Sequence, residues 1–554
     1  MFRLPTSPPL WVAVLLCSSP LARAQCKLES LTPSDARSAQ SFGASIAVAG
    51  RWTFVGAPGD DEDGVGTGAA YVFEQTPAGW LQGAKLRSSD HQPGDEFGGQ
   101  VVAWNDVFVV GASRFTRDAP GAAYVFERGA TWTESQQLVA WDGSEPDSFG
   151  EALALQGDTL MVGALRGPGP TPHTGAVYVF ERGADGWSAA QKLVAGDAGE
   201  WHYFGMSVAL DGDRALVGAA GHDGRGELSG AAYVFERTGS GWVETAKLVG
   251  SGVTTESRFG GTVALSGKRL LVGARDGVTL SGRVFAYELR GSTWVELVEV
   301  SAGPDAGTLD SFGRSLDLRG DRALVGAYGA GGFNPNGVVH RFQWREQGWQ
   351  REGKLEAVGA DGTQFGFAVV GAGEVVWVGA ILDDEGGAGA GKIYRFHSPA
   401  FALPFCFGLD CPCGNDDPTA GCANLSGRGA RMTSCGSSSV TADDLVLRIT
   451  NVPIEGAAQV QMGRVRTRVP FGDGITCLAA SAGTLYRFPL RPPDSLGTVI
   501  EGPGIVAYSI ASFPPSGHIS AGRTWAFQTW YVGGRVCSPS GPNFSNALAV
   551  TFRP

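Results

Sequence analysis

The chain has 554 residues, a net charge of -12, and 84 glycines against only 5 methionines. An acidic balance of this size argues against nucleic acid as a partner, because phosphate binding needs a basic footprint. The glycine-rich, methionine-poor composition with 43% apolar residues points away from helices and toward many short strands joined by tight turns.

Met1 to Ala24 carries Arg3, an apolar run from Leu10 to Leu16 and the small-x-small triplet Ala22-Arg23-Ala24. That is the layout of a signal peptide, so residues 1–24 are expected to be removed and the mature chain to start near Gln25. Nothing later approaches the ~20 consecutive apolar residues of a membrane span. The expected product is secreted or held at the cell surface without a membrane span. Loss of Cys17 leaves an even set of cysteines in an oxidising compartment, all expected to pair. They are Cys26, then none until Cys406, Cys411, Cys413, Cys422, Cys435, Cys477 and Cys537. This asymmetry divides the mature chain into residues 25–398 and a Cys-rich segment, 399–554.

In the first segment Phe-Gly recurs at Phe42, Phe97, Phe149, Phe204, Phe259, Phe312 and Phe365, every 52 to 55 residues. Each copy then carries Val-Gly-Ala, starting at Val55, Val110, Val162, Val217, Val272, Val325 and Val378. A Gly-Ala-Ala-Tyr-Val-Phe type strand follows, and in six copies a Trp strand closes the unit, from Trp80 to Trp349. Four alternating strands per unit, repeated radially, make propeller blades, and seven copies predict a seven-bladed ring. A linear solenoid, the competing architecture, has shorter coils and parallel strands. The seventh copy lacks its Trp strand, and the N-terminus supplies the missing piece. Leu31 precedes Phe42 by the offset that separates Leu86 from Phe97, and Asp35 repeats Asp90, Asp142 and Asp197, each four residues after such a leucine. Residues 26–31 are therefore predicted to pair with the strand around Ile393 to Phe396 and leave no open edge. The same counting brings Cys406 close to Cys26, so a Cys26–Cys406 disulfide is expected to lock the ring.

Phe-Gly, then Val55-Gly-Ala-Pro58, then Gly-Ala-Ala-Tyr-Val-Phe resembles the FG-GAP repeat of integrin α-subunit propellers and their bacterial relatives, over roughly residues 26–398. The resemblance implies a β-propeller and an adhesive or binding role. One departure matters. Many such repeats hold an Asp-x-Asp-x-Asp-Gly calcium loop after the Phe-Gly strand. Here that link is a tight turn such as Asp211-Gly212-Asp213-Arg214 or Arg319-Gly320-Asp321-Arg322, which cannot supply the 6 to 8 oxygens calcium takes.

The segment from Cys406 reads as a small disulfide-rich β-sandwich-like domain, with strands expected at Leu445–Thr450, Ile505–Ile510 and Trp525–Tyr531. Its Cys411-Pro-Cys-Gly-Asn-Asp-Asp-Pro stretch is similar to C-terminal modules of secreted planctomycete-type bacterial proteins, which implies an envelope location. Zinc at Cys411 and Cys413 is the weaker reading beside disulfides.

No His-x-x-x-His pair, Gly-x-Ser-x-Gly elbow or phosphate loop occurs, so no catalytic residue and no cofactor is assigned. All seven histidines read as solvated loop residues. The cluster Asp60, Asp61 and Asp63 is the candidate metal site, a weak calcium site, with a solvated charged loop as the competing reading; Asp383-Asp384-Glu385 is its counterpart. The long loops, between strands two and three and between strands four and one, emerge on one face and are rich in Asp and Glu without a single Lys. Variable loops on a rigid scaffold are where binding sits. The expected function is thus recognition of a protein or glycan through that face, without enzymatic activity; the alternative is an extracellular hydrolase or lyase working at the channel mouth.

Overall fold

The computed structural model describes residues 27–554 apart from 77–78, 115–118, 144–145, 276–280, 304–306, 308, 331–335, 346–347, 358–361, 374, 398–401, 418–419, 425, 436–437, 442, 480–484 and 533–541. The signal-peptide reading and Cys26 lie outside these residues.

Every Phe-Gly copy builds a four-stranded antiparallel sheet in chain order, and the described residues hold seven of them. Sheet one is Ser45–Ala49, Trp52–Ala57, Ala69–Thr76 and Gly79–Leu86. Sheets two to six lie within 100–138, 149–193, 204–248, 259–296 and 315–355. Sheet seven is Phe365–Ala372, Val375–Ala380 and Lys392–His397, completed by Lys27–Leu31 from the other end of the chain. The register is Lys27 to Phe396, Glu29 to Arg395, Ser30 to Tyr394 and Leu31 to Ile393, as the leucine offset predicts for the described part of that strand. First strands touch their neighbours from sheet to sheet, and that of sheet seven returns to that of sheet one. The repeat thus folds as a β-propeller.

The motif residues have a common physical reason. Each Phe of Phe-Gly lies under the two aromatic positions of strand three in its own sheet; Phe42 meets Tyr71 and Phe73 edge-on with centroids 5.4 and 5.9 Å apart. The Phe side chains are almost fully buried, which favours folding by roughly 1.5–3 kcal/mol each. The glycines mark where backbones of adjacent sheets meet. A Cβ on Gly56 of Val-Gly-Ala would stand 1.9 Å from the carbonyl oxygen of Gly98, the Phe-Gly glycine of the next sheet. The same collision recurs around the ring to Gly379, where a Cβ would stand 2.0 Å from the Gly43 oxygen. Only a residue without a side chain allows sheets to approach this closely.

The remaining chain forms a five-stranded sheet, Ala402–Phe405, Asn543–Thr551, Thr524–Tyr531, Ala458–Gly463 and Leu485–Arg491 in spatial order. Beside it are a three-stranded sheet, Arg431–Cys435, Val446–Thr450 and Val499–Glu501, and a hairpin, Arg466–Phe471 with Gly474–Leu478. Val446–Thr450 and Thr524–Tyr531 are strands as read from sequence. Ile505–Ser512 is not a strand but an α-helix. Its free N–H groups are capped from far away: the Asp443 carboxylate accepts from Val506 at 2.7 Å and Ala507 at 2.8 Å. A short apolar run carries no periodicity that could separate helix from strand.

The expected Cys26–Cys406 disulfide is corrected. Cys406 is bonded to Cys477, with Cα atoms 6.2 Å apart, and Cys411 to Cys422, 5.9 Å apart; Cys413 is disulfide-bonded as well. The reason is the strand before Cys406. Ala402–Phe405 pairs with Asn543–Thr551 rather than with the ring, and so delivers Cys406 to the cysteine of the Gly474–Leu478 hairpin.

Candidate functional site at the channel mouth

Asp60, Asp61 and Asp63 do come together with Glu62, but around the chain's own cations. Lys85 Nζ lies 2.6 Å from Asp35, 2.8 Å from Asp60 and 2.7 Å from Glu62. Arg87 pairs with Asp63 at 2.9 Å, and Arg37 approaches Asp61 at 3.9 Å. Gln40 Nε2 donates to Asp60 at 2.6 Å, and the Tyr71 hydroxyl donates to it at 3.1 Å. Burial raises the Asp60 pKa, but Lys85 and Gln40 outweigh burial and hold it below the usual carboxylate range. The Lys85 ammonium thus sits among these carboxylates where a divalent ion would have to sit, which corrects the metal reading. Among the described residues no group of three or more His, Cys, Asp or Glu side chains is placed to hold a metal ion.

This arrangement is one copy of a repeated latch that the sequence reading missed. The Asp four residues after the strand-four leucine reaches the next sheet and accepts from its strand-three Tyr. Tyr178 donates to Asp142 and Tyr233 to Asp197, both at 2.6 Å, and Tyr124 donates to Asp90. Lys192 holds Asp142 at 2.7 Å, and Lys247 holds Asp197. The signal was present as a constant interval: Asp35 to Tyr71, Asp142 to Tyr178 and Asp197 to Tyr233 are each 36 residues apart. Burial raises the Asp142 and Asp197 pKa values, but the lysine and tyrosine donors overcome it and the net direction is downward. Two histidines also depart from the loop reading. His222 is buried against Asp197 at 3.1 Å, and His340 takes the strand-three Tyr position, buried 5.3 Å from the Phe312 ring.

At the centre of the loop face the first strands surround a cavity of 460 Å³, which opens among residues of the long loops. Left-handed backbone builds its rim: the residue before every Phe-Gly has positive φ, from Ser41 at 53° through Tyr203 at 54° and Arg258 at 50° to Gln364 at 54°. Arg258, Arg275 and Arg314 line the cavity, as do Tyr203, Phe367 and Glu151. The Arg314 guanidinium sits over the Phe367 ring, 4.7 Å from its centroid, and Tyr328 meets that ring edge-on at 5.6 Å. Burial, and then the like charge of Arg275, pushes the Arg314 pKa down against the attraction of Tyr328 and Glu151. Burial pushes the Glu151 carboxyl up, opposed by a hydrogen bond from Ser113 and reinforced by Glu96. An adjoining cavity of 450 Å³ shares Glu151, Arg314 and Phe367 and adds Glu96. On the rim Trp201 is 44% exposed; it stacks on His173 at 3.9 Å and meets Tyr203 edge-on at 6.0 Å. The sequence showed the loops as acidic. It could not show that arginines from separate repeats converge at the axis.

A ring of four-stranded sheets with its pocket at the axis defines a β-propeller with a loop-face cavity. The FG-GAP repeat family matches residues 27–73, 80–126, 132–180, 187–235, 242–287 and 294–340, and the chain belongs to that family. Each match starts in one sheet's outer strand and ends in strand three of the next, so one sequence repeat spans two sheets. No curated protein matches the sequence. The crystal structure of Saccharomyces cerevisiae Sqt1 aligns over 67% of this chain and 98% of its own, at 13% identity and a TM-score of 0.38. No described helix is long and apolar enough to cross a membrane.

Proposed function

We propose that the protein is an exported binding module, a seven-bladed propeller over residues 25–398 followed by a disulfide-braced β domain over 399–554, which recognises a protein or glycan through its loop face. FG-GAP repeats are typically extracellular binding modules. The observation that carries the reading is the open cavity at the loop-face end of the axis, with aromatic and charged side chains at its mouth. Concave sites with a few convergent polar groups are where ligands bind. A glycan and protein array probed with the mature protein, with and without calcium, tests it. Hits should be retained without calcium and lost on loop-face substitution; hits that need calcium, or that map away from this face, would refute it.

A second reading, an extracellular hydrolase or lyase at the same mouth, is favoured by Glu151. Burial, reinforced by Glu96, raises its carboxyl pKa, the direction in which an acid catalyst's carboxyl is shifted. Turnover of an array ligand that Glu151→Gln abolishes while binding persists would establish this reading over simple recognition.

A further inference from the structure

Resting on the recognition reading, we infer that the channel mouth binds an acidic saccharide, with a uronate carboxylate held by Arg258, Arg275 and Arg314 and sugar rings lying on the aromatic path from Trp201 to Tyr203. None of these three arginines is ion-paired among the described residues. Elsewhere on the propeller the arginines are mostly tied up: Arg114, Arg214, Arg269 and Arg283 each meet a carboxylate within 3.0 Å. Three cations brought to one cavity by sheets five and six share it with a single lining carboxylate, Glu151, so positive charge is in excess there and calls for an anion. Planar guanidinium groups suit a carboxylate, which they can bind in a bidentate fashion.

The carboxylates beside the arginines, Glu151 in the cavity and Glu96 in the adjoining one, select the kind of anion. Glu151 and Glu96 would repel a ligand charged along its whole length, such as an acidic peptide or a polyphosphate, but their oxygens can accept from hydroxyl groups. One carboxylate on a polyhydroxyl ring satisfies both kinds of group. The aromatic surfaces supply the third element. Trp201 is exposed at the rim and leads by way of Tyr203 into the cavity, while Phe367, met edge-on by Tyr328, backs Arg314. The cavity, at 460 Å³, falls in the size range of small-ligand sites, so a short stretch of a longer glycan fits.

The test is calorimetry on the full mature chain with trimers of galacturonic and of glucuronic acid, the corresponding neutral hexose trimers, and hexaglutamate. At least one uronate trimer should bind, its neutral counterpart at least tenfold more weakly, and hexaglutamate likewise. Arg275→Gln and Arg314→Gln should each weaken the uronate at least tenfold, and Trp201→Ala should weaken uronate binding and remove a ligand-induced change in tryptophan fluorescence. Arg258→Gly supplies a variant expected to keep the fold, because it removes the cation and places glycine at a left-handed position. Equal binding of the neutral trimer, equal binding of hexaglutamate, or no uronate binding at all overturns the inference. An array ligand whose affinity is lost on loop-face substitution but unchanged in Arg275→Gln and Arg314→Gln overturns it while leaving loop-face recognition standing.

Discussion

Replacing Gly379 by Ala tests the explanation given for the motif glycines. The new Cβ would stand 2.0 Å from the backbone oxygen of Gly43, and ordinary contact begins at 3.4 Å, so sheets seven and one must separate by about 1.4 Å where the ring closes. Neither partner is a movable side chain. The cost therefore belongs at the upper end of the overpacking range, about 3 kcal/mol. For a cooperative ring of about 370 residues, the unfolding entropy of roughly 2.1 cal/mol/K per residue converts this to a drop of about 4 °C in Tm. Gly373→Ala is the control. Gly373 sits in a turn at φ 61° with nothing within 4 Å of a Cβ, so only the left-handed backbone penalty of about 1–2 kcal/mol applies, and with it a drop of 1–3 °C. Scanning calorimetry with disulfides intact measures both. A Gly379→Ala protein that melts no lower than Gly373→Ala would show that the sheets are not in backbone contact there, and the account of Val-Gly-Ala would fail.

The Asp–Tyr–Lys latches set a pH dependence. Carboxyls held below their unfolded pKa of about 3.9 contribute stability above that pH and lose it as pH falls through the folded value, so Tm should drop below about pH 4. Asp142→Asn with Asp197→Asn should lower Tm at pH 7 and flatten that acid drop; an unchanged drop would assign it to other groups. Peptide mapping of unreduced protein should recover Cys406 linked to Cys477 and Cys411 to Cys422. Since the first bridge spans 71 residues, its removal should destabilise the C-terminal unit by up to about 4 kcal/mol. Asp443→Ala should cost about 1–2 kcal/mol and speed amide exchange at Val506 and Ala507. Unchanged exchange there would mean that the distant cap is not what holds the helix.

Legibility from sequence followed the range of the interactions. The four-strand unit and the closing strand were readable because each mark recurs at a fixed interval, and a repeat architecture reuses one set of local contacts. The Cys406 partner was not, since an offset count carries the ring's register past His397 although the chain has by then joined another sheet at Ala402. The helix at Ile505 depends on a carboxylate 63 residues away, at Asp443. The arginine-lined cavity was hidden for a related reason. Arg258, Arg275 and Arg314 occupy different positions within their repeats, so no interval links them; only the axis does. The acidic cluster was legible as a cluster but not as to its counter-ions, because Lys85 lies in the strand facing Tyr71 rather than in the loop.

The strand completing sheet seven also fixes an order of events. Glu29 meets Arg395 across 366 residues of sequence, so the ring's first strand to be synthesised finds its place after nearly all of the ring exists. Until then the strand at Lys392–His397 has one unpaired edge and Lys27–Leu31 has no partner, two complementary edges that a second incomplete copy could fill. Because closing so distant a contact is slow, crowded nascent chains have an interval in which exchanging first strands competes with closure. A short-lived dimer with swapped N-terminal strands is the assembly error this topology invites.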